Sequence, residues 1–169
     1  EHYYRTLMEI AGTNDVDYPT RIQAIGKANT ELAILMSTDK KRYDWGIYGR
    51  LVTDLLPDYI RVESQFKFDI LGVEKRLGDV LPRDGVETYD SADPDNIYVT
   101  GVVDVIIRPH KDVNYRKWAG KIGVMDHKFA ENFPSDIAVK MNSQLPKQIH
   151  LLRGNGVDAE FGILNYLRY

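Results

Sequence analysis

The chain has no cysteine in its 169 residues. That absence excludes a disulfide framework, a Cys-ligated zinc site, an iron–sulfur cluster and a thiol nucleophile together. No apolar run approaches the roughly 18–20 residues needed to span a bilayer, so no membrane partner is expected. No secretory signal is legible either, in a sequence that starts at Glu1 rather than at a methionine. The absence of cysteine makes an intracellular location the expectation. An excess of one charge is also missing: 22 Lys and Arg stand against 25 Asp and Glu, a formal net charge of −3. Contact with a polyanion must therefore come from a local basic patch or a bound cation, not from the field of the whole molecule. There is no internal repeat and no low-complexity segment.

The composition that remains, 43% hydrophobic and 28% charged, suits one globular domain over residues 1–169 with a core of its own. Residues 1–58 read as a mainly helical lobe. "HYYRTLMEIA" places Tyr3, Tyr4, Leu7, Met8 and Ile10 near helical spacing, and Gly12 to Asp15 stops it. "PTRIQAIGKANTELAILM" carries Ile22, Ile25, Leu32, Leu35 and Met36 after Pro19, and "YDWGIYGRLVTDLL" follows as a further helix interrupted by Gly46 and Gly49.

From Tyr59 the period changes to two. In "YIRVESQFKFDI", Val62, Ser64, Phe66, Phe68 and Ile70 alternate with Glu63, Gln65, Lys67 and Asp69, as in a half-buried strand. Gly72 to Asn96 reads as a long polar excursion with room for a short hairpin. "DSADPDN", residues 90–96 within it, has Pro94 and lacks the mid-loop Gly of a calcium loop, so it reads as a turn. "IYVTGVVDVIIR" is apolar on both faces and so an interior strand. "KIGVMDHKF" and "EFGILNYLRY" are the remaining strands, with "HKDVNYRKWAG" as the connection before the former. Between these last two strands, Ile137, Met141, Leu145, Ile149 and Leu152 follow helical spacing. Pro146 fits only in a first turn, which predicts an N-cap at Asn142 or Ser143, an end at Gly154, and Gln144 at the helix entrance.

The chemistry gathers in "VMDHKF". On a strand Asp126 and Lys128 share a face and His127 points the other way. Asp104 likewise interrupts an apolar strand. Two interior carboxylates and a lysine make a divalent-metal site, whose ion would offset the cost of burying charge. The alternative is a buried Asp126–Lys128 ion pair with Asp104 capping a turn. Asp-x-Lys is weak alone, since 17 Asp and 11 Lys give roughly one chance match. A second copy, Asp39-Lys40-Lys41, sits in polar "STDKKR".

"TGVVDVIIR", "IGVMDHKF" and "QLPKQIHLL", in that order, resemble the RecB-like branch of the PD-(D/E)XK nuclease superfamily over about residues 59–168. The matching positions are Gly101 with Asp104, Asp126 with Lys128, and Gln144. The resemblance implies an α/β fold with a restriction-endonuclease-like core: a central mixed β-sheet with helices on both faces and an N-terminal helical lobe, residues 59–169 forming the catalytic part. It implies that Asp104, Asp126 and the backbone carbonyl of His127 ligate Mg²⁺ or Mn²⁺. Lys128 would position water or stabilise the transition state, and Gln144 would orient the lysine or touch the substrate backbone. Glu63 looks like the family's upstream acid, although its alternating neighbours also suit a solvated face. His2 is a candidate for a metal-reaching histidine, with the accompanying Gly missing. Where relatives carry Tyr four residues after the Gln, this chain has Gln148, whose amide is a candidate DNA contact. Other candidates for DNA backbone contact are Lys140 and Lys147, with Lys111, Arg116, Lys117 and Lys121. His110 and His150 show no zinc spacing. The implied activity is a metal-dependent deoxyribonuclease, an exonuclease of recombination, repair or replication acting on DNA beside other proteins of those processes. The alternative is a non-catalytic nucleic-acid-binding or assembly module that keeps the fold.

Overall fold

The computed structural model describes residues 2–38, 56–80, 98–111, 116–130 and 132–168. Helix α1, His2–Ile10, buries Tyr3, Tyr4, Thr6 and Leu7. It is closed by Gly12, whose φ of +68° turns the chain and sends its N–H back to the carbonyls of Leu7 and Met8. Helix α2, Tyr18–Thr38, is capped by Asp17, which accepts the N–H of Thr20 at 2.9 Å. Its buried positions are Arg21, Ala24 and Ala28, whereas Ile22 and Leu35, expected inside, are exposed. The alanines permit close packing on α1, and Arg21 can be buried because three polar partners meet it.

Residues 59–63 are not a strand. Helix α3, Leu56–Glu63, with Pro57 in its first turn, buries Ile60 and Glu63 three residues apart. In so short a stretch periods of two and of three to four overlap, and burial decides between them. The helical lobe accordingly runs to Glu63 rather than residue 58. The helix expected over 43–56 lies, apart from Leu56, outside the described residues.

Four strands form one mixed sheet in the order β1-β2-β3-β4: Phe68–Val80, Tyr98–Pro109, Ile122–Ala130 and Ala159–Arg168. The β1–β2 and β2–β3 pairs are antiparallel, and β3–β4 is parallel. Gly72–Val80, expected to be loop, continues β1 and pairs with β2 from Gly72↔Ile106 to Val80↔Tyr98. Its polar composition reflects an edge strand with exposed Lys75 and Arg76. The rest of the excursion, including residues 90–96, lies outside the described residues.

The parallel pair requires a crossover, supplied by the short helix α4, Asp136–Lys140, and by α5, Gln144–Gly154. Ser143 stands at the N-cap of α5 but makes no side-chain bond there. Asn142 Oδ1 instead accepts the N–H groups of Gln144 at 2.9 Å and Leu145 at 3.4 Å. Ile137 and Met141, expected on the apolar face of this helix, are exposed in and just after α4.

One sheet face, with Phe68, Ile70, Val105, Ile107, Met125 and Phe161, packs on Tyr3, Tyr4, Leu7, Ala24, Ala28 and Ile60 of the helical lobe. On the other, Ile106, Val124 and Ala159 pack on Leu152, Leu145 and Ile149 of α5. Gly123 lets the ring of Phe161 lie across β3: a Cβ there would stand 2.3 Å from Phe161 Cζ. Among the described residues no helix is long and apolar enough to cross a membrane.

Candidate active site at a fork in the sheet

Strands β2 and β3 pair only at Val105↔Met125, Ile106↔Val124 and Ile107↔Gly123. One step further the same register would set Asp104 opposite Asp126, and there the pairing ends. Beyond it β2 continues with β1 and β3 with β4, so the sheet divides into two arms with the two acids at the fork. The main-chain N–H of His127, which has lost its ladder partner, donates to Asp104 Oδ2 at 3.4 Å. A side chain thus replaces the missing backbone acceptor.

Helix α5 lies across the fork. Gln144 Nε2 donates to Asp126 Oδ1 at 2.7 Å on one arm. One turn later Gln148 Nε2 donates to the Val102 carbonyl at 3.1 Å on the other. Gly101 lets the helix come close: a Cβ there would meet Leu151 Cδ1 at 3.0 Å and Lys147 Cε at 3.6 Å. Gln148 is therefore a buried bridge, turned inward rather than toward a nucleic acid.

Asp126 is fully buried, and Lys128 Nζ lies 2.7 Å from its Oδ2. That oxygen already faces the ammonium, so an ion would bind beside the lysine or in its place. Two carboxylates and the His127 carbonyl would be a hard-oxygen donor set, the kind Mg²⁺ and Mn²⁺ prefer, with water and substrate oxygens completing the shell. Among the described residues no three His, Cys, Asp or Glu side chains are grouped to hold a metal.

Glu63 and His2 are engaged elsewhere. Glu63, at the end of α3, is buried rather than solvated. It accepts from Asn14 Nδ2 at 2.8 Å and from Arg21 Nη1 at 3.2 Å. Burial pushes its carboxyl above the ordinary range, against the hydrogen bonds of Asn14 and Arg21 and the charge of Arg21. His2 pairs with Glu31 of α2. Lys140, Lys147, Lys111, Arg116 and Lys117 are exposed, but Lys121 is tied to Glu160. His110 pairs with Asp69 at 2.8 Å.

The reverse face of β3 holds residues that the pattern did not single out. The imidazole of His127 lies between the rings of Tyr4 and Tyr59, with centroids at 5.4 and 5.7 Å. Its Nε2 is 3.0 Å from Tyr59 Oη, and Asn165 of β4 donates to the same oxygen at 2.8 Å. Burial holds the imidazole down at about 4. Arg21, a charge at helical spacing with Ala24 and Ala28, signalled only the neighbouring buried group of Glu63, Asn14 and Tyr3. Comparison of the chain with protein-family models, curated proteins and solved structures returns no match.

Proposed function

We propose that the chain is a divalent-metal-dependent deoxyribonuclease of the RecB-like PD-(D/E)XK kind, on a restriction-endonuclease-like core. In this reading it is an exonuclease hydrolysing DNA phosphodiester bonds in recombination, repair or replication. The observation that carries the proposal is convergence: Asp104, Asp126, Lys128 and Gln144, from two strands and a helix, meet where β2 and β3 part.

Asp104, Asp126 and the His127 carbonyl would hold Mg²⁺ or Mn²⁺. When bound, the ion lowers the pKa of a water ligand and neutralises charge building on the phosphoryl oxygens. Gln144 fixes the Asp126 carboxylate by its 2.7 Å bond, a role directed at the acid rather than at the lysine. The half-exposed Lys128 ammonium sits where it can donate to the attacking water or to a developing oxyanion. Lys140 and Lys147, exposed on α4 and α5, are candidates to hold the backbone of the incoming strand.

The 2.7 Å Asp126–Lys128 contact also favours a second reading, a binding or assembly module in which the pair is structural. One experiment separates them: incubation of end-labelled linear duplex, single-stranded and covalently closed circular DNA with Mg²⁺, Mn²⁺ or EDTA. The nuclease reading expects metal-dependent loss of linear but not circular DNA. Asp104→Ala, Asp126→Ala and Lys128→Ala should abolish it in folded protein, and Asp39→Ala should leave it intact. Binding of DNA without cleavage under every condition would select the module.

A further inference from the structure

We propose that Glu74 and Arg5 are positioning residues that set the fork: a left-handed kink in β1, held by an ion pair to α1, bends β2 out of the β3 ladder at Asp104. The consequence for cleavage rests on the nuclease reading; the geometry does not.

Three observations fall in one row of the sheet. The β1–β2 ladder runs through Val73↔Val105 and Lys75↔Val103, a register that sets Glu74 opposite Asp104. On the other side of β2, the register of the β3 pairs sets Asp104 opposite Asp126, and there the pairing ends. Glu74 has a φ of +49°, and among the described residues it is the only one besides glycines in the left-handed region. That backbone is unfavourable for a residue with a Cβ, so its surroundings must hold it there. Arg5 of α1 does so, through a partly buried ion pair between its Nη2 and Glu74 Oε2.

A residue in this conformation breaks the alternation of side chains and adds to the local twist of its strand. Because β2 is paired with β1 on both sides of Glu74, it follows the bend. Strand β3, paired with β4 through Ala130, contains no positive φ. The two ribbons therefore diverge at the row where the kink lies. Charge acts in the same place. Glu74, Asp104 and Asp126 put three carboxylates in one cross-strand row, and like charges opposite one another repel. Arg5 engages the acid at one end and Lys128 the acid at the other, while Asp104 between them accepts the His127 N–H. Without the kink β2 could pair on with β3, closing the opening that an ion and a phosphodiester must enter.

The test varies the backbone preference at residue 74. Glu74→Gly accepts the left-handed φ unaided, whereas Glu74→Val resists it and favours an extended strand. In steady-state cleavage of linear DNA across a Mg²⁺ titration, folded Glu74→Val should lose about tenfold or more in kcat and need more Mg²⁺ for half-maximal rate, with KM for DNA within about twofold. Glu74→Gly should stay within about threefold of wild type. Arg5→Met should cost about tenfold alone but no more than about twofold in the Glu74→Gly background, since the arginine acts through residue 74. Lys27→Met, which removes the Lys27–Glu9 ion pair between α2 and α1, should change none of these. Independently of activity, the β2–β3 register carried past Asp104 sets Val103 opposite His127. A nuclear Overhauser contact between the backbones of these two residues should be absent in wild type and Glu74→Gly and gained in Glu74→Val. Glu74→Gly impaired as severely as folded Glu74→Val, an Arg5→Met cost that is the same in both backgrounds, or no gain of the Val103–His127 contact would overturn the proposal and leave the nuclease reading intact. Should Glu74→Val not fold, the Arg5→Met and Glu74→Gly cycle decides alone. If wild type cleaves nothing, the nuclease reading falls and the role in cleavage with it, and the Val103–His127 contact still tests whether Glu74 sets the fork.

Discussion

Lys128 and Asp126 are an unequal pair: the carboxylate is fully buried, while the ammonium side chain keeps about a third of its exposure. Removing the lysine strands a buried anion, among the costliest single changes in a protein. Lys128→Ala should therefore melt well below wild type in EDTA and regain part of that loss when Mg²⁺ is added, because an ion that binds only the folded state stabilises it. A thermal melt indifferent to Mg²⁺ would count against the donor set. His127 gives a pH signature. Its folded value of about 4 lies below the ordinary value near 6.5, so the unfolded chain takes up a proton that the folded ring refuses. The stability linked to this ring is complete above about pH 6.5 and is lost as pH falls toward 4, at most about 3 kcal/mol. Glu63, raised by burial, acts in the opposite sense, its contribution fading as pH rises. Urea unfolding at several pH values should show a shallower decline for His127→Gln than for wild type between pH 6.5 and 4.5.

Two elements show how local pattern and packing divide the work. Helix α5 was legible from Pro146, the apolar spacing and the polar residues ahead of it, because a first-turn proline and an N-cap are rules of the backbone itself. Of the two expected cap residues, Ser143 stands at the cap position while the Asn142 side chain makes the bonds, a division that local rules do not resolve. The end of helix α3 has the pattern of a strand because Val62 alternates well with Phe66 and Phe68 beyond it, and only the burial of Glu63 against Arg21 shows which face turns inward. Strand β3 carries a constraint invisible in its own sequence: Gly123 has no positive φ, and its need for hydrogen comes from the Phe161 ring, which is stacked in turn on Trp118 with centroids 4.7 Å apart. Gly123→Ala should cost about 1–3 kcal/mol by displacing that ring, read as a lower urea midpoint with a near-unchanged m-value.

At the scale of the whole molecule, a net charge of −3 means that, on the nuclease reading, attraction to DNA would fall to a few lysines and a bound ion. Binding of a short duplex should be weak in EDTA and stronger with Ca²⁺, a hard cation used to hold the complex without turnover. With Lys128, Lys140 and Lys147 each meeting one phosphate, the log-log salt slope should be no steeper than about −3. A steep slope in EDTA would mean a basic surface outside the fork. The sequence by itself determined the alternation of helix and strand over most of the described chain. It also determined the interior character of β2, the place of Asp104, Asp126 and Lys128 on apolar strands and that of Gln144 at a helix entrance, because period, breakers and misplaced charges are local properties. Tertiary structure alone decided that β2 and β3 part between Asp104 and Asp126, that Gln148 bridges to Val102, and that Glu63 and His2 are drawn to Arg21 and Glu31 rather than to the acids. It also decided that Tyr4 and Tyr59 close on His127. The physical reason is common to all of these. Each depends on which buried donor finds which acceptor across tens of residues of chain, and a backbone period carries no record of that pairing.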